Sequence, residues 1–171
     1  LKMSREEARE RLGIGDKPLL LSFGGSLGAR RINEAVTELI KRLGSSGDFY
    51  HIHAAGSAGY KAMLEALGDT KLSEYTDVRE YINNMDVCMA AADLIISRSG
   101  ANSLSELEAM GRASILIPSP NVAGNHQYHN AMVLGKAGAA IVIEEKNLSG
   151  EVLIDCVKKL YNDADKLNCF A

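Results

Sequence analysis

The sequence predicts an α/β fold, a Rossmann-like parallel sheet with helices on both faces. Short apolar runs alternate along the chain with segments of helical periodicity, and the runs are nearly continuous rather than alternating. Strands of this kind are typical of parallel sheets, because helical crossovers cover both faces of the sheet. The chain has 171 residues, 46% of them hydrophobic, which is enough for one compact domain over residues 1–171.

Each element has a local signal. Ser4 and Glu7 have the spacing of a capping box, and Gly13 is a residue type that commonly ends a helix. Strands are predicted at residues 19–23, 49–53, 94–96, 114–117 and 140–143, with a weaker sixth pattern at 75–78. Helices are predicted at residues 4–12, 29–43, 57–67, 85–92, 103–110, 127–136 and 151–161.

The charge and aromatic content exclude some functions. The net charge of −3 and the isoelectric point of about 5.8 argue against nucleic-acid binding, because no basic stripe is present to displace phosphate counterions. The chain has no Trp and only 5% aromatic residues, so it lacks rings on which bases or sugar faces stack. Recognition of a sugar is therefore expected to be mostly polar.

The cysteines and the ends of the chain indicate a compartment. Cys88, Cys156 and Cys169 are widely spaced and odd in number, which predicts neither a metal or redox pair nor a disulfide framework, and fits a reducing cytosol. Residues 1–12 resemble a charged helix rather than a signal sequence, and no apolar run approaches the roughly 18 residues of a membrane span. We expect a soluble, cytoplasmic domain that is a fragment of a longer protein.

Three loops follow predicted strands where ligands bind in such sheets, outside the carboxyl ends at the reversal of strand order. They are residues 24–30, 97–103 and 118–126. In the first, a glycine-rich turn opens a helix whose N–H groups could bind phosphate. A tight turn that packs the helix against the sheet is the alternative explanation of the glycines. The glycine spacing differs from Gly-x-Gly-x-x-Gly and no Walker A Lys is present, which argues against a dinucleotide site or a P-loop.

The second loop runs from Arg98 through small residues into a helix that carries Glu106. Small residues let backbone N–H groups approach a ligand closely, which suits a nucleotide sugar. Glu106 could accept hydrogen bonds from sugar hydroxyls, or it could complete a capping box with Ser103. Arg98 could neutralise a diphosphate, or it could be a surface cation beside the strand end.

The third loop is rich in neutral polar side chains, namely Asn121, Asn125, His126, Gln127, His129 and Asn130. Hydroxyl-rich ligands need such groups, but an exposed helix start capped by Asn125 fits the same residues. The pairs His126/His129 and His51/His53 have no acidic or Cys partner nearby, so a neutral, hydrogen-bonded role is favoured over metal binding.

Three motifs carry a resemblance. GGSLGAR, SRSGANSLSELEAMG and NHQYHNAMVLGKAGAA, in this order, resemble the carboxyl-terminal half of the lipid II-forming N-acetylglucosaminyltransferases of glycosyltransferase family 28. The likeness covers nearly the whole chain. It implies that the chain is one half of a two-domain GT-B enzyme, and that the acceptor-binding amino-terminal domain is absent from it. This half would bind UDP-N-acetylglucosamine without a metal or other cofactor.

The resemblance also implies roles for individual residues. Gly25, Ser26 and Gly28 would lie at the diphosphate, and the Ile82 backbone at the uracil edge. The second motif would enclose the ribose and phosphate, with Glu106 on the ribose hydroxyls. Its substrate-binding residues would be Arg98, Ser99, Gly100, Ala101, Asn102, Ser103, Leu104, Ser105 and Glu106. Gln127 and His126 would touch the sugar hydroxyls; the family often has Gln where this chain has His126.

The reaction implied is an inverting displacement at the anomeric carbon by a hydroxyl of lipid-linked N-acetylmuramoyl-pentapeptide, which releases UDP during peptidoglycan synthesis. The catalytic base would lie in the absent half, so this half would bind the donor without turnover. The full-length protein would be peripheral on the cytoplasmic face of the bacterial cell membrane. Three alternatives stay open, namely the soluble subunit of a two-chain N-acetylglucosaminyltransferase, half of a nucleotide-sugar epimerase, and a non-catalytic interaction module.

Overall fold

The computed structural model describes residues 3–24, 29–99, 113–120, 126–136 and 140–162. Six strands run through it, at Leu19–Phe23 (β1), Tyr50–Ala54 (β2), Thr76–Arg79 (β3), Leu94–Ser97 (β4), Ala113–Leu116 (β5) and Ala140–Val142 (β6). The described helices are Arg5–Leu12 (α1), Arg30–Leu43 (α2), Tyr60–Leu67 (α3), Met85–Ala91 (α4), His126–Lys136 (α5) and Gly150–Asn162 (α6), with a 3-10 turn at Glu145–Asn147.

The strands form one parallel sheet in the order β3-β2-β1-β4-β5-β6. This is the strand order of a doubly wound nucleotide-binding fold, so the predicted fold class is confirmed. Strand order reverses between β1 and β4, where Leu20 pairs with Leu94 and Ser22 with Ile96. The carboxyl ends of β1 and β4 therefore lie side by side although more than seventy residues separate them in sequence.

Two apolar cores cover the two faces of the sheet. Successive strand residues point to opposite sides, so that Leu20 packs in one core while Leu19 and Leu21 pack in the other. Helices α2, α3 and α6 contribute to the first core, and α1, α4 and part of α5 contribute to the second. Burial on both faces explains why β1, β4 and β5 are apolar nearly throughout.

Helix α1 is attached to the amino-terminal edge of the sheet by polar contacts. As predicted, Ser4 caps it by accepting a hydrogen bond from the Glu7 N–H at 3.1 Å, and Gly13 ends it at φ 67°. Arg5 contacts Asp93 at 2.6 Å, and the other carboxylate oxygen of Asp93 accepts the Leu19 N–H at 2.8 Å. Arg9, 4% exposed, donates to the carbonyl oxygens of residues 15, 17 and 91.

The predicted boundaries differ from the structure mainly at α3. Residues 57–59 form turns, and the helix begins at Tyr60, three residues later than expected. Gly56 has φ 83°, its carbonyl oxygen accepts the Tyr60 N–H, and Gly59 is the N-cap residue of the helix. The other described strands and helices agree with the predicted bounds to within one residue. The predicted helix at 103–110 lies outside the described residues.

Candidate functional site: a polar cleft at the carboxyl ends of β1 and β4

A polar cavity of about 510 Å³ lies at the reversal of strand order. Residues that follow β1, β4, β5 and β6 contribute to it, together with the first turns of α2 and α5. Its lining residues are Gly24, Ala29, Arg30, Arg31, Arg98, Ser119, Gln127 and Glu145. The cavity therefore lies where ligands bind in open parallel sheets.

A larger cavity, of about 730 Å³, lies between α2 and α3. Small side chains of α3 such as Ala62 and Ala66 line one wall, and α2 residues such as Thr37 and Lys41 line the other. Most of these residues lie along helix faces, away from the strand ends. The smaller cavity is therefore the better candidate for a functional site.

The first turn of α2 presents backbone N–H groups at the smaller cavity. The N-cap residue, Ala29, has no side chain that could accept a hydrogen bond from them, and the turn carries no acidic residue. A Cβ on Gly24 would lie 2.5 Å from the Ala29 Cβ, so only glycine allows the end of β1 to come this close to the helix. Uncapped N–H groups and the helix dipole favour an anion at this position.

Arginine side chains surround that helix start. Three arginines and one glutamate are among the described lining residues. Arg30 pairs with Glu34 at 2.9 Å on the exposed side of α2. Arg31 donates to the carbonyl oxygens of Glu145 at 3.3 Å and Leu148 at 3.1 Å, which ties α2 to the 3-10 turn after β6.

Arg98 joins the ends of three strands. Its Nη2 donates to Glu145 Oε1 at 2.8 Å, and its Nη1 donates to the carbonyl oxygens of Ile117 and Pro118 at 3.4 and 3.3 Å. The two charged side chains are 17% and 16% exposed. The interpretation of Arg98 as a surface cation is therefore wrong. Its guanidinium lies in the cleft wall, and Glu145 balances its charge.

Ser99 and Gln127 connect the loop after β4 to helix α5. The Ser99 hydroxyl is fully buried and donates to the Gln127 carbonyl oxygen at 2.7 Å. Gln127 Oε1 accepts the Ser119 N–H at 2.8 Å. This bond fixes the orientation of the Gln127 amide, so its NH₂ group remains the donor that the side chain can offer a ligand.

Ile82 lies between β3 and α4, beyond β2 from the strand-order reversal. Its side chain is 3% exposed and belongs to the second core, so any contact with a ligand would involve its backbone. Gly25, Ser26, Gly28 and residues 100–106 lie outside the described residues, as does the side chain of His126, the first residue of α5.

A chain of buried polar side chains joins β1, β2 and α2, and we call Ser22, His51, His53 and Asn33 the buried bridge. Ser22 Oγ lies 2.7 Å from His51 Nε2 and 2.7 Å from His53 Nδ1, and His53 Nε2 lies 2.8 Å from Asn33 Oδ1. Burial lowers the pKa of both His51 and His53 to about 3. The expected neutral, hydrogen-bonded role is confirmed for this pair.

No group of three or more His, Cys, Asp or Glu side chains that could hold a metal occurs within the described ranges.

Sequence reasoning did not select Glu145, Arg31 or Ser22. The signal for Glu145 was available, because the rule that selected three loops applies equally to the turn after β6.

The part of the chain that the structure describes has no helix long and apolar enough to span a bilayer.

Comparison with known proteins decides the family. Residues 19–169 match the model of the glycosyltransferase family 28 C-terminal domain. The chain belongs to glycosyltransferase family 28. Its sheet is the Rossmann-like half domain of a GT-B glycosyltransferase, as predicted. The crystal structure of Acinetobacter baumannii MurG superposes with a TM-score of 0.78 at 28% identity, covering 98% of this chain and 47% of that chain.

Two curated relatives carry the name UDP-N-acetylglucosamine–N-acetylmuramyl-(pentapeptide) pyrophosphoryl-undecaprenol N-acetylglucosamine transferase. The Acetivibrio thermocellus protein is 48% identical over 172 residues, which cover 100% of this chain and 46% of the relative. The Desulforamulus reducens protein is 42% identical over 176 residues, which cover 100% of this chain and 47% of the relative. The family 28 chain described here thus spans about half the length of these relatives.

Proposed function

We propose that the cleft at the carboxyl ends of β1 and β4 binds UDP-N-acetylglucosamine, and that the chain is the donor-binding half of a transferase. The acceptor would be a lipid-linked N-acetylmuramoyl-pentapeptide. The observation that carries the proposal is the uncapped first turn of α2 in an arginine-lined cleft, because such a turn favours a diphosphate. The names of the two relatives support the choice of nucleotide sugar and acceptor.

The proposal gives each part of the cleft one portion of the donor. Gly25, Ser26 and Gly28 precede α2 and would place N–H groups on the diphosphate together with its first turn. Glu106 would accept hydrogen bonds from the ribose hydroxyls, and the Ile82 backbone would meet the uracil edge. Gln127, whose amide orientation is fixed by Ser119, would donate to an N-acetylglucosamine hydroxyl, beside His126.

The chemistry that this half supplies is electrostatic. In an inverting displacement the acceptor oxygen forms a bond to the anomeric carbon, and the bond from that carbon to the diphosphate oxygen breaks. UDP leaves with the electron pair, and the acceptor proton passes to a base in the other half. Fixed N–H groups and arginines can stabilise the charge that develops on the leaving diphosphate without reorganising. We expect this chain alone to bind the donor without turning it over.

The membrane contact belongs to the same proposal. A lipid-linked acceptor would bring the whole protein to the cytoplasmic face of the cell membrane, where the chain described here would remain on the water side. Contact with the bilayer would then come through the half that is not part of this sequence.

Calorimetry with four ligands tests the proposal. We expect UDP-N-acetylglucosamine and UDP to bind, UDP-glucose to bind more weakly than UDP-N-acetylglucosamine, and NADH not to bind. Failure of every uridine ligand to bind at millimolar concentration would overturn it. Conversion of free UDP-N-acetylglucosamine to an epimer without acceptor would favour the epimerase alternative instead.

A further inference from the structure

The buried bridge connects the two ends of the loop proposed to hold the diphosphate. Ser22 lies in β1, two residues before Gly24, and Asn33 lies in α2, four residues after Ala29. His53 of β2 contacts both, with its Nδ1 2.7 Å from Ser22 Oγ and its Nε2 2.8 Å from Asn33 Oδ1. The His53 ring therefore joins β1, which precedes the loop, to α2, which follows it.

The hydrogen bonds of the buried bridge have a single consistent direction. Asn33 Nδ2 donates to the Ala55 carbonyl oxygen at 2.9 Å, so Asn33 Oδ1 must accept from His53 Nε2–H. The other ring nitrogen, Nδ1, then accepts the Ser22 hydroxyl proton, and Ser22 Oγ accepts from His51 Nε2–H. Neutral imidazoles satisfy every one of these bonds.

The packing around the buried bridge leaves little freedom to the groups it connects. Ser22, His51 and His53 are 0 to 2% exposed, so a hydrogen bond lost between them is not replaced by one to bulk water. Asn33 is 7% exposed and borders the larger cavity between α2 and α3. A Cβ on Gly59 would lie 2.3 Å from Asn33 Nδ2, and one on Gly24 would lie 2.5 Å from the Ala29 Cβ. Hydrogen bonds are directional, so inside an otherwise apolar core they favour one position of α2 relative to β1. Apolar packing alone would restrict that position less.

We propose that His53 and Asn33 are positioning residues for the donor diphosphate, because the buried bridge fixes the first turns of α2 relative to the end of β1. The inference rests on the proposed function. Backbone N–H groups bind a phosphate oxygen well only at about 2.7 to 3.2 Å, so a small shift of α2 weakens several contacts at once. The uracil and ribose contacts involve other loops, and such a shift leaves them unchanged.

Two substitutions on α2 separate positioning from general support of the fold. Asn33→Ala removes the acceptor of His53 Nε2–H and the donor to Ala55. Thr37→Val is the matched control, since Thr37 is also buried on α2, one turn further on, and its hydroxyl donates to the Asn33 carbonyl oxygen at 2.7 Å. The control removes a buried hydrogen bond from the same helix and leaves the buried bridge intact.

The readout compares UDP with uridine, which lacks the phosphates. UDP affinity is measured by calorimetry and uridine affinity by an NMR titration, at a temperature where circular dichroism shows each variant folded. We expect Asn33→Ala to weaken UDP about tenfold, equivalent to about 1.4 kcal/mol, with uridine affinity unchanged. Thr37→Val is expected to leave both affinities unchanged.

The possible results distinguish the two proposals. A parallel loss of UDP and uridine affinity in Asn33→Ala, or no loss of either, would overturn the positioning role. Failure of the unsubstituted chain to bind UDP would instead contradict the proposed function. If Asn33→Ala does not fold, His53→Gln replaces it, because glutamine retains an Nε2 donor toward Asn33 and loses the acceptor for Ser22. A selective loss of UDP affinity is then expected, smaller than tenfold, and a non-selective loss or none overturns the proposal.

Discussion

Acidification from pH 7.5 to 5.0 should destabilise the domain through its two buried histidines. Burial lowers the pKa of His51 and His53 to about 3, whereas an unfolded chain restores the ordinary value of about 6.5. Between these values the unfolded state binds more protons than the folded state. The stability that the neutral rings contribute is therefore complete above pH 6.5 and is lost as the pH falls toward 3.

The size of the loss in unfolding free energy follows from how far the pH lies below the pKa of the histidines in the unfolded chain. At pH 5.0 that distance is about 1.5 units, and each unit corresponds to about 1.4 kcal/mol, so each histidine costs about 2 kcal/mol and the pair about 4 kcal/mol. The figure at pH 5.0 is insensitive to the folded pKa as long as that value stays well below 5. A loss of this size is a large fraction of a typical domain stability of about 5 to 15 kcal/mol.

Urea unfolding at a series of pH values measures this loss directly. His53→Gln removes one of the two titrating rings, so its loss between pH 7.5 and 5.0 should be about 2 kcal/mol, half that of the parent chain. Ile40→Val is the control, because it removes one buried methyl group from α2 without changing a titratable group, and it should lower stability equally at both pH values. A parent chain that loses less than about 1 kcal/mol over this interval would refute the reasoning.

Three further substitutions test the proposed donor site. Glu106→Gln should weaken UDP binding by about 1 to 3 kcal/mol with little change in unfolding free energy, since glutamine can still complete a capping box; unchanged affinity in calorimetry would return Glu106 to a structural role. Gly24→Ala should lower the free energy of unfolding in urea by about 1 to 3 kcal/mol, because its Cβ would meet the Ala29 Cβ at 2.5 Å. The same substitution should also lower UDP affinity. Glu145→Gln should destabilise the fold by about 1 to 3 kcal/mol, since it leaves the charge of Arg98 unbalanced, and yet tighten UDP binding. Weaker UDP binding in that variant would show that the carboxylate assists the ligand.

The fold was predictable because its signals are local. Apolar strands, helical periodicity and the Ser4 and Gly13 signals of α1 each lie within a few adjacent residues, and together they indicated a parallel sheet and its ligand-binding edge. The start of α3 was predicted three residues too early, because residues 57–59 form turns after the left-handed Gly56.

The contacts of the cleft were less predictable because they join distant residues. Arg98 meets Glu145 across 47 positions of sequence, and Ser22 meets His51 across 29. A short window of sequence can place such a residue in a strand or a turn, but it does not show which distant side chain the residue meets. Ser22 interrupts an apolar strand, and only the pairing of β1 with β2 shows that two imidazoles satisfy its hydroxyl.

The attachment of α1 has a consequence for which replacements the domain tolerates. Arg9 reaches three carbonyl oxygens from one planar group, and a lysine ammonium, with the same charge, cannot match the directions of those bonds. Exchange of the two basic residues is usually harmless on protein surfaces. At position 9 the shape of the donor group matters as well as its charge, so Arg9→Lys keeps the charge opposite Asp93 but gives up part of this set of hydrogen bonds.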